Sequence, residues 1–119
     1  MNPIIPIDPS KGEVSIKIEM DHTEVWKYEY SIEDKKIAEN NVVDNKELMH
    51  SIGKPDSLKS MDLHFWKFFP TNTSGSVINI RATIKWIQDG KEIQTWTGSA
   101  KNIQPNQPGT ITGSGYIKK

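Results

Sequence analysis

Apolar and polar residues alternate along most of this chain. Residues 14–20 place Val14, Ile16, Ile18 and Met20 on one side and Ser15, Lys17 and Glu19 on the other, the period of two that a half-buried strand requires. After a bend at Asp21-His22-Thr23, residues 24–32 repeat the pattern, with Trp26, Tyr28, Tyr30 and Ile32 on the face expected to meet the core. A weaker strand is expected around 37–43, beyond the turn at Glu33-Asp34-Lys35-Lys36. The period then changes. Asp44 followed by Glu47 has the spacing of a capping box, and Leu48, Met49 and Ile52 form an apolar stripe stopped by Gly53 and Pro55, which predicts one short helix near residues 45–52. Residues 61–69 return to strand, with Met61, Leu63, Phe65 and Phe69 on one face and His64, Trp66 and Phe68 on the other. Because both faces are apolar, this strand is either sandwiched centrally or exposed on one side for a ligand.

Residues 77–98 predict a hairpin turning at Asp89-Gly90, a dipeptide suited to two consecutive residues of positive φ. A two-residue loop would pair Gln88 with Lys91, Trp86 with Ile93, and Thr83 with Trp96. Trp86 then belongs to the core, while Trp96 stands among Thr83, Lys85 and Gln94 on a polar face. A three-residue loop with a bulge at Gly90 would put both tryptophans on one face, but it sets Glu92 and Gln94 on the apolar side, a slip that burial penalises. The first register is preferred. A terminal strand over 110–119 is interrupted by Gly113 and Gly115, and Pro3, Pro6 and Pro9 restrict residues 1–12 to an extended arm or edge strand.

Strands separated by turn signals, with one short helix, predict a mainly β fold. We expect a single-domain antiparallel β-sandwich over 1–119, immunoglobulin-like or C2-like in the broad sense, with a small β-barrel as the alternative.

Composition narrows the chemistry. Lys plus Arg and Asp plus Glu each number 15, and Arg81 is the only arginine, so neither a global field nor guanidinium forks favour nucleic acid as a partner. The absence of cysteine excludes disulfides, thiolate metal sites and cysteine nucleophiles. His22, His50 and His64 lack the spacing of a metal or catalytic motif, and no cofactor or metal is expected. Asp8, Asp21, Asp44, Asp56 and Asp89 are read as turn residues rather than calcium ligands. Asn72-Thr73-Ser74 matches a glycosylation acceptor by chance, and the glycines of 73–76 and 113–116 lack the phosphate-loop pattern. The first residues carry neither a basic segment nor an apolar run, and no stretch approaches the ~20 apolar residues of a spanning helix. This suggests a cytoplasmic protein, or one exported without a cleaved signal.

The residues left over once a core is built are aromatic. Trp96, Trp66, Lys85, Gln94 and Tyr116 are the candidate ligand-binding residues of a non-enzymatic module that engages a protein or a glycan through a sheet face or end loops. Two other classes compete: a membrane-active or secreted effector with Trp66, Phe68, Tyr116 and Trp96 as an interfacial belt, and a small hydrolase using His22 or His64 as base. The N-terminal arm also offers an edge through which a homo-oligomer could form.

Overall fold

The structure, a computed structural model, describes residues 2–119. Strand β2 (Val14–Met20) buries Val14, Ile16, Ile18 and Met20 as its alternation requires. It lies between β5 (Glu47–Gly53) and β7 (Ile78–Gln88), with β8 (Lys91–Ile103) beyond β7, so one sheet has the order β5-β2-β7-β8. The second sheet has five strands in the order β1-β9-β6-β3-β4, where β1 is Ile4–Pro6, β3 Trp26–Ile32, β4 Lys35–Val42, β6 Leu63–Pro70 and β9 Ile111–Lys118. All pairings are antiparallel except that of β1 with β9. The two sheets pack as a sandwich around one hydrophobic core. Its members include Ile5, Ile16, Ile18, Trp26, Tyr30, Trp66, Phe68, Ile80, Ile84 and Trp86. Among the described residues, no helix is long and apolar enough to cross a membrane.

Residues 45–52 are not a helix. They run into β5, and the only helical turn among the described residues is a 3-10 turn at Pro55–Ser57. Asp44 takes a left-handed φ of 62°, and the side chain of Asn45, not Asp44, accepts the Glu47 amide at 3.1 Å. A local turn therefore replaces the cap. Leu48 and His50 then lie opposite Ile18 and Ile16. An eight-residue helix is marginal by itself, whereas a strand here satisfies its backbone against β2 and still buries Leu48 and Ile52 by alternation.

The hairpin differs from both expected registers. Asp89 and Gly90 have φ of 51° and 74°, and Gln88 pairs with Lys91 as the two-residue loop requires. A bulge then shifts the ladder between Trp86 and Ile87, so that Trp86 meets Gln94 and Ile84 meets Trp96. The extra residue moves Trp96 to the inner side. The tight turn and the burial of both tryptophans become compatible, which neither simple register allows.

Candidate functional site

The face of β6 that carries His64, Trp66 and Phe68, where Trp66 was expected to serve as a ligand platform, is the inner face and lies in the core. Trp66 is 0% exposed. It stacks on Tyr30 with ring centroids 5.9 Å apart and meets the edges of Trp86 and Trp96 at 5.1 and 5.3 Å. Trp96 also stacks on Phe68. The opposing sheet covers Trp66 through Trp86 and Trp96. Gly113 makes room for the cluster, because a Cβ there would fall 2.6 Å from Trp96 and closer still to Trp66 Nε1. A glycine inside a strand here marks close approach of two indoles rather than a weak strand end.

One polar chain runs through these rings. Trp86 Nε1 donates to the Tyr30 hydroxyl at 3.1 Å, and that hydroxyl lies 2.6 Å from His64 Nδ1. The Tyr30 hydroxyl, accepting from Trp86, has its own proton available for Nδ1, while His64 Nε2 is buried with no hydrogen-bond partner among the described residues. Burial holds the imidazole neutral, pushing its pKa down to about 4 against a small opposing pull from Asp62. Burial likewise raises that of Tyr30. His64 is 0% exposed, and Trp66 and Phe68, two members of the expected aromatic belt, are interior as well.

The five candidate residues do not share one surface: Trp66 lies in the core and the other four are divided among three places. Lys85 faces outward from the four-stranded sheet, with its ammonium 2.7 Å from Glu19. Their hydrogen bond raises the Lys85 pKa and lowers that of Glu19. Gln94 Nε2 donates to the Ile4 carbonyl at 2.8 Å. Gln94 and the half-buried Trp96 together line a cleft of about 450 Å³ between β8 and the arm residues Asn2, Pro3 and Ile4. Tyr116 stands elsewhere, on the outer face of the five-stranded sheet between Ile4 and Leu63. Lys85 and Tyr116 are thus not neighbours of Trp96.

That outer face carries the feature missed by sequence reasoning. Leu63, Phe65, Lys67 and Phe69 alternate away from the core, and the Lys67 ammonium lies 5.5 Å from the Phe65 ring centre. Leu63, Phe65 and Lys67 join Glu29, Ser31, Glu33 and Asp34 around a depression of about 310 Å³. The carboxylates come from β3 and the turn after it, where Ile32 pairs with Lys35 and Glu33 takes a φ of 53°. Glu33 accepts the Leu63 amide at 2.8 Å, fixing its carboxylate at the rim. Glu29 lies within 3.8 Å of Lys27 and 3.3 Å of Lys36. The signal available in the sequence was the double apolar face of residues 61–69.

The remaining motifs serve the backbone. Asp8 accepts from Ser10, Asp89 from the Gly12 amide, and Asp21 from the Arg81 amide. Among the described residues no cluster of three or more His, Asp or Glu is placed to hold a metal ion. Asn72 is fully buried, its amide donating to the carbonyls of Ser76 and Ile103, so its nitrogen is not presented for glycosylation. His22 is exposed, 3.8 Å from the Asp21 carboxylate.

No protein-family model matches the chain, and no curated protein matches its sequence. Among solved structures, that of a DUF4425 family protein from Bacteroides ovatus ATCC 8483 is similar, with a TM-score of 0.53 and 12% sequence identity, covering 87% of this chain and 95% of that one. At this identity the likeness is one of fold alone.

Proposed function

We propose that this protein is a non-enzymatic binding module whose contact surface is the outer face of the five-stranded sheet, and that its ligand is a glycan. The observation carrying this reading is the depression in which Phe65 and Leu63 lie beside three carboxylates, the Ser31 hydroxyl and the Lys67 ammonium. A sugar ring needs a flat apolar surface for its C–H face and a rim of acceptors and donors for its hydroxyls. A pocket with an apolar floor and a few convergent polar groups supplies both. A protein partner is the second reading. It is favoured by Ile4, 54% exposed beside Tyr116, which extends the apolar row beyond the depression.

The test is a glycan-array screen of the wild type beside Phe65→Ala, with folding of both followed by circular dichroism. The expected outcome is a sugar signal that falls by about tenfold in the folded variant, the effect of removing one aromatic anchor. A signal that survives Phe65→Ala would place the site elsewhere. No signal from folded wild type would remove the glycan reading and leave the protein partner, to be sought by cross-linking in the native host with Ile4→Asp as the control.

A further inference from the structure

We propose that the N-terminal arm is an exchangeable strand, latched over its own chain by Gln88, and that a second copy's arm fills the same groove once the latch opens. β1 lies in the groove between β9 and β8. Ile5 and Ile7, two residues apart, are sunk into it at 0% and 3% exposure. A Cβ on Gly115 would fall 2.8 Å from the Pro3 carbonyl, so the glycine makes room for the arm. Its backbone is read at three points: the Tyr116 amide donates to the Pro3 carbonyl at 3.1 Å, the Gln94 side chain to the Ile4 carbonyl at 2.8 Å, and the Ile7 amide to the Lys118 carbonyl at 2.8 Å. What the groove recognises is thus contained in residues 3–7. A second copy supplies an identical segment, and exchanging it needs no new interface chemistry.

The arm's own ladder is slight. β1 has three residues, the fewest of any strand described, and it pairs in parallel, the less stable arrangement per residue. Residues 8–13, which follow it, are all exposed. A short terminal strand on an exposed hinge belongs to the part of a fold that opens most easily.

What keeps the arm on its own molecule is the hinge. Gln88, at the end of β7 and 2% exposed, spends its whole amide there. Its Oε1 accepts the Asp8 amide at 3.0 Å, and its Nε2 donates to the carbonyls of Asp8 and Gly12, both at 2.9 Å. Asp89 accepts the Gly12 amide at 3.1 Å. Two carbonyls sharing one nitrogen hold the hinge folded back, whereas drawing it out toward a second molecule would part Asp8 and Gly12 by about 13 Å. The tether adds a high effective concentration of the arm at its own groove. The wild type is therefore a closed monomer in dilute solution, and weakening Gln88 shifts the arm toward exchange. The depression around Phe65 is built on β6 and β3, two and three strands away from β1, so this inference stands or falls separately from the glycan reading.

Sedimentation velocity from about 10 µM to about 1 mM tests it, on wild type, Gln88→Met, Gly12→Ala and Gln88→Met combined with Ile5→Asp. Gln88→Met keeps the size of the side chain and loses all three bonds. A Cβ on Gly12 would fall 2.7 Å from Asp89 Oδ1, so Gly12→Ala loosens the other end of the hinge. Gln88→Met should dimerise with a dissociation constant on the order of 100 µM, about tenfold or more tighter than wild type, and Gly12→Ala should move the same way by less. Excess synthetic peptide of residues 2–8, which fills the groove without a hinge, should return the dimer to monomer, and Ile5→Asp should abolish it. If Gln88→Met does not fold, Gly12→Ala with the peptide decides, and a monomeric Gly12→Ala then counts against the proposal. A folded Gln88→Met that stays monomeric at about 1 mM, a wild type that dimerises equally, or a dimer that survives Ile5→Asp or the peptide would overturn it.

Discussion

His64 shows how much one buried residue can reveal about the state of the core. Its folded pKa of about 4 lies below the ordinary 6.5, so between those values the unfolded chain binds a proton that the folded chain refuses. The associated stability is complete above pH 6.5, falls as the pH drops toward 4, and amounts to about 3 kcal/mol. Urea denaturation at pH 7 and pH 4 of wild type and His64→Leu measures it. The variant should be less stable at pH 7, where the Tyr30 hydroxyl loses its acceptor, by about 1–3 kcal/mol. It should also lose less stability on acidification, by about 3 kcal/mol. Equal acid sensitivity in the two proteins would show that His64 is solvated. Phe65, one position along the same strand, is its half-buried counterpart on the outer face, whereas His64 faces the core.

At the scale of elements, most strands were legible because alternation reports burial directly: β2, β3 and β7 place on the core side the residues that their spacing selects. What was not legible depended on partners distant in the chain. The segment 45–52 has a helical stripe and a strand alternation superposed, and only the free edge of β2 decides between them. Substitution distinguishes the two. In a helix Met49 would share the buried stripe with Leu48 and Ile52, whereas in β5 it faces out and is 56% exposed. Met49→Asp should therefore change stability by less than about 0.5 kcal/mol, and Ile52→Asp should cost about 3 kcal/mol or more, as measured by urea denaturation. The Trp96 position turned on a single bulge, which adds one residue without a composition signal of its own. The candidate site suffered most: Trp66 and Trp96 are the most conspicuous aromatics in the sequence, yet their size is what the core between the sheets uses. Glu29, Glu33 and Asp34 gather beside Phe65 only through the pairing of β3 with β6.

At the scale of the molecule, an elongated sandwich of 48 × 24 × 21 Å separates three kinds of surface. The interior holds the indole cluster, the edges hold β8 and the N-terminal arm, and the outer face of the five-stranded sheet holds Phe65, Tyr116 and the carboxylate-rimmed depression. The central claim is that ligand contact belongs to the last of these. Backbone amide shifts mapped by NMR, on titration with the strongest ligand from the glycan array, test it most directly. The account predicts shifts concentrated at Glu29, Ser31, Glu33, Leu63, Phe65 and Lys67, with the indole protons of Trp66 and Trp86 unmoved. Shifts centred instead on Gln94–Thr97 beside the N-terminal arm, or on the loop end around His22 and Thr73, would contradict it.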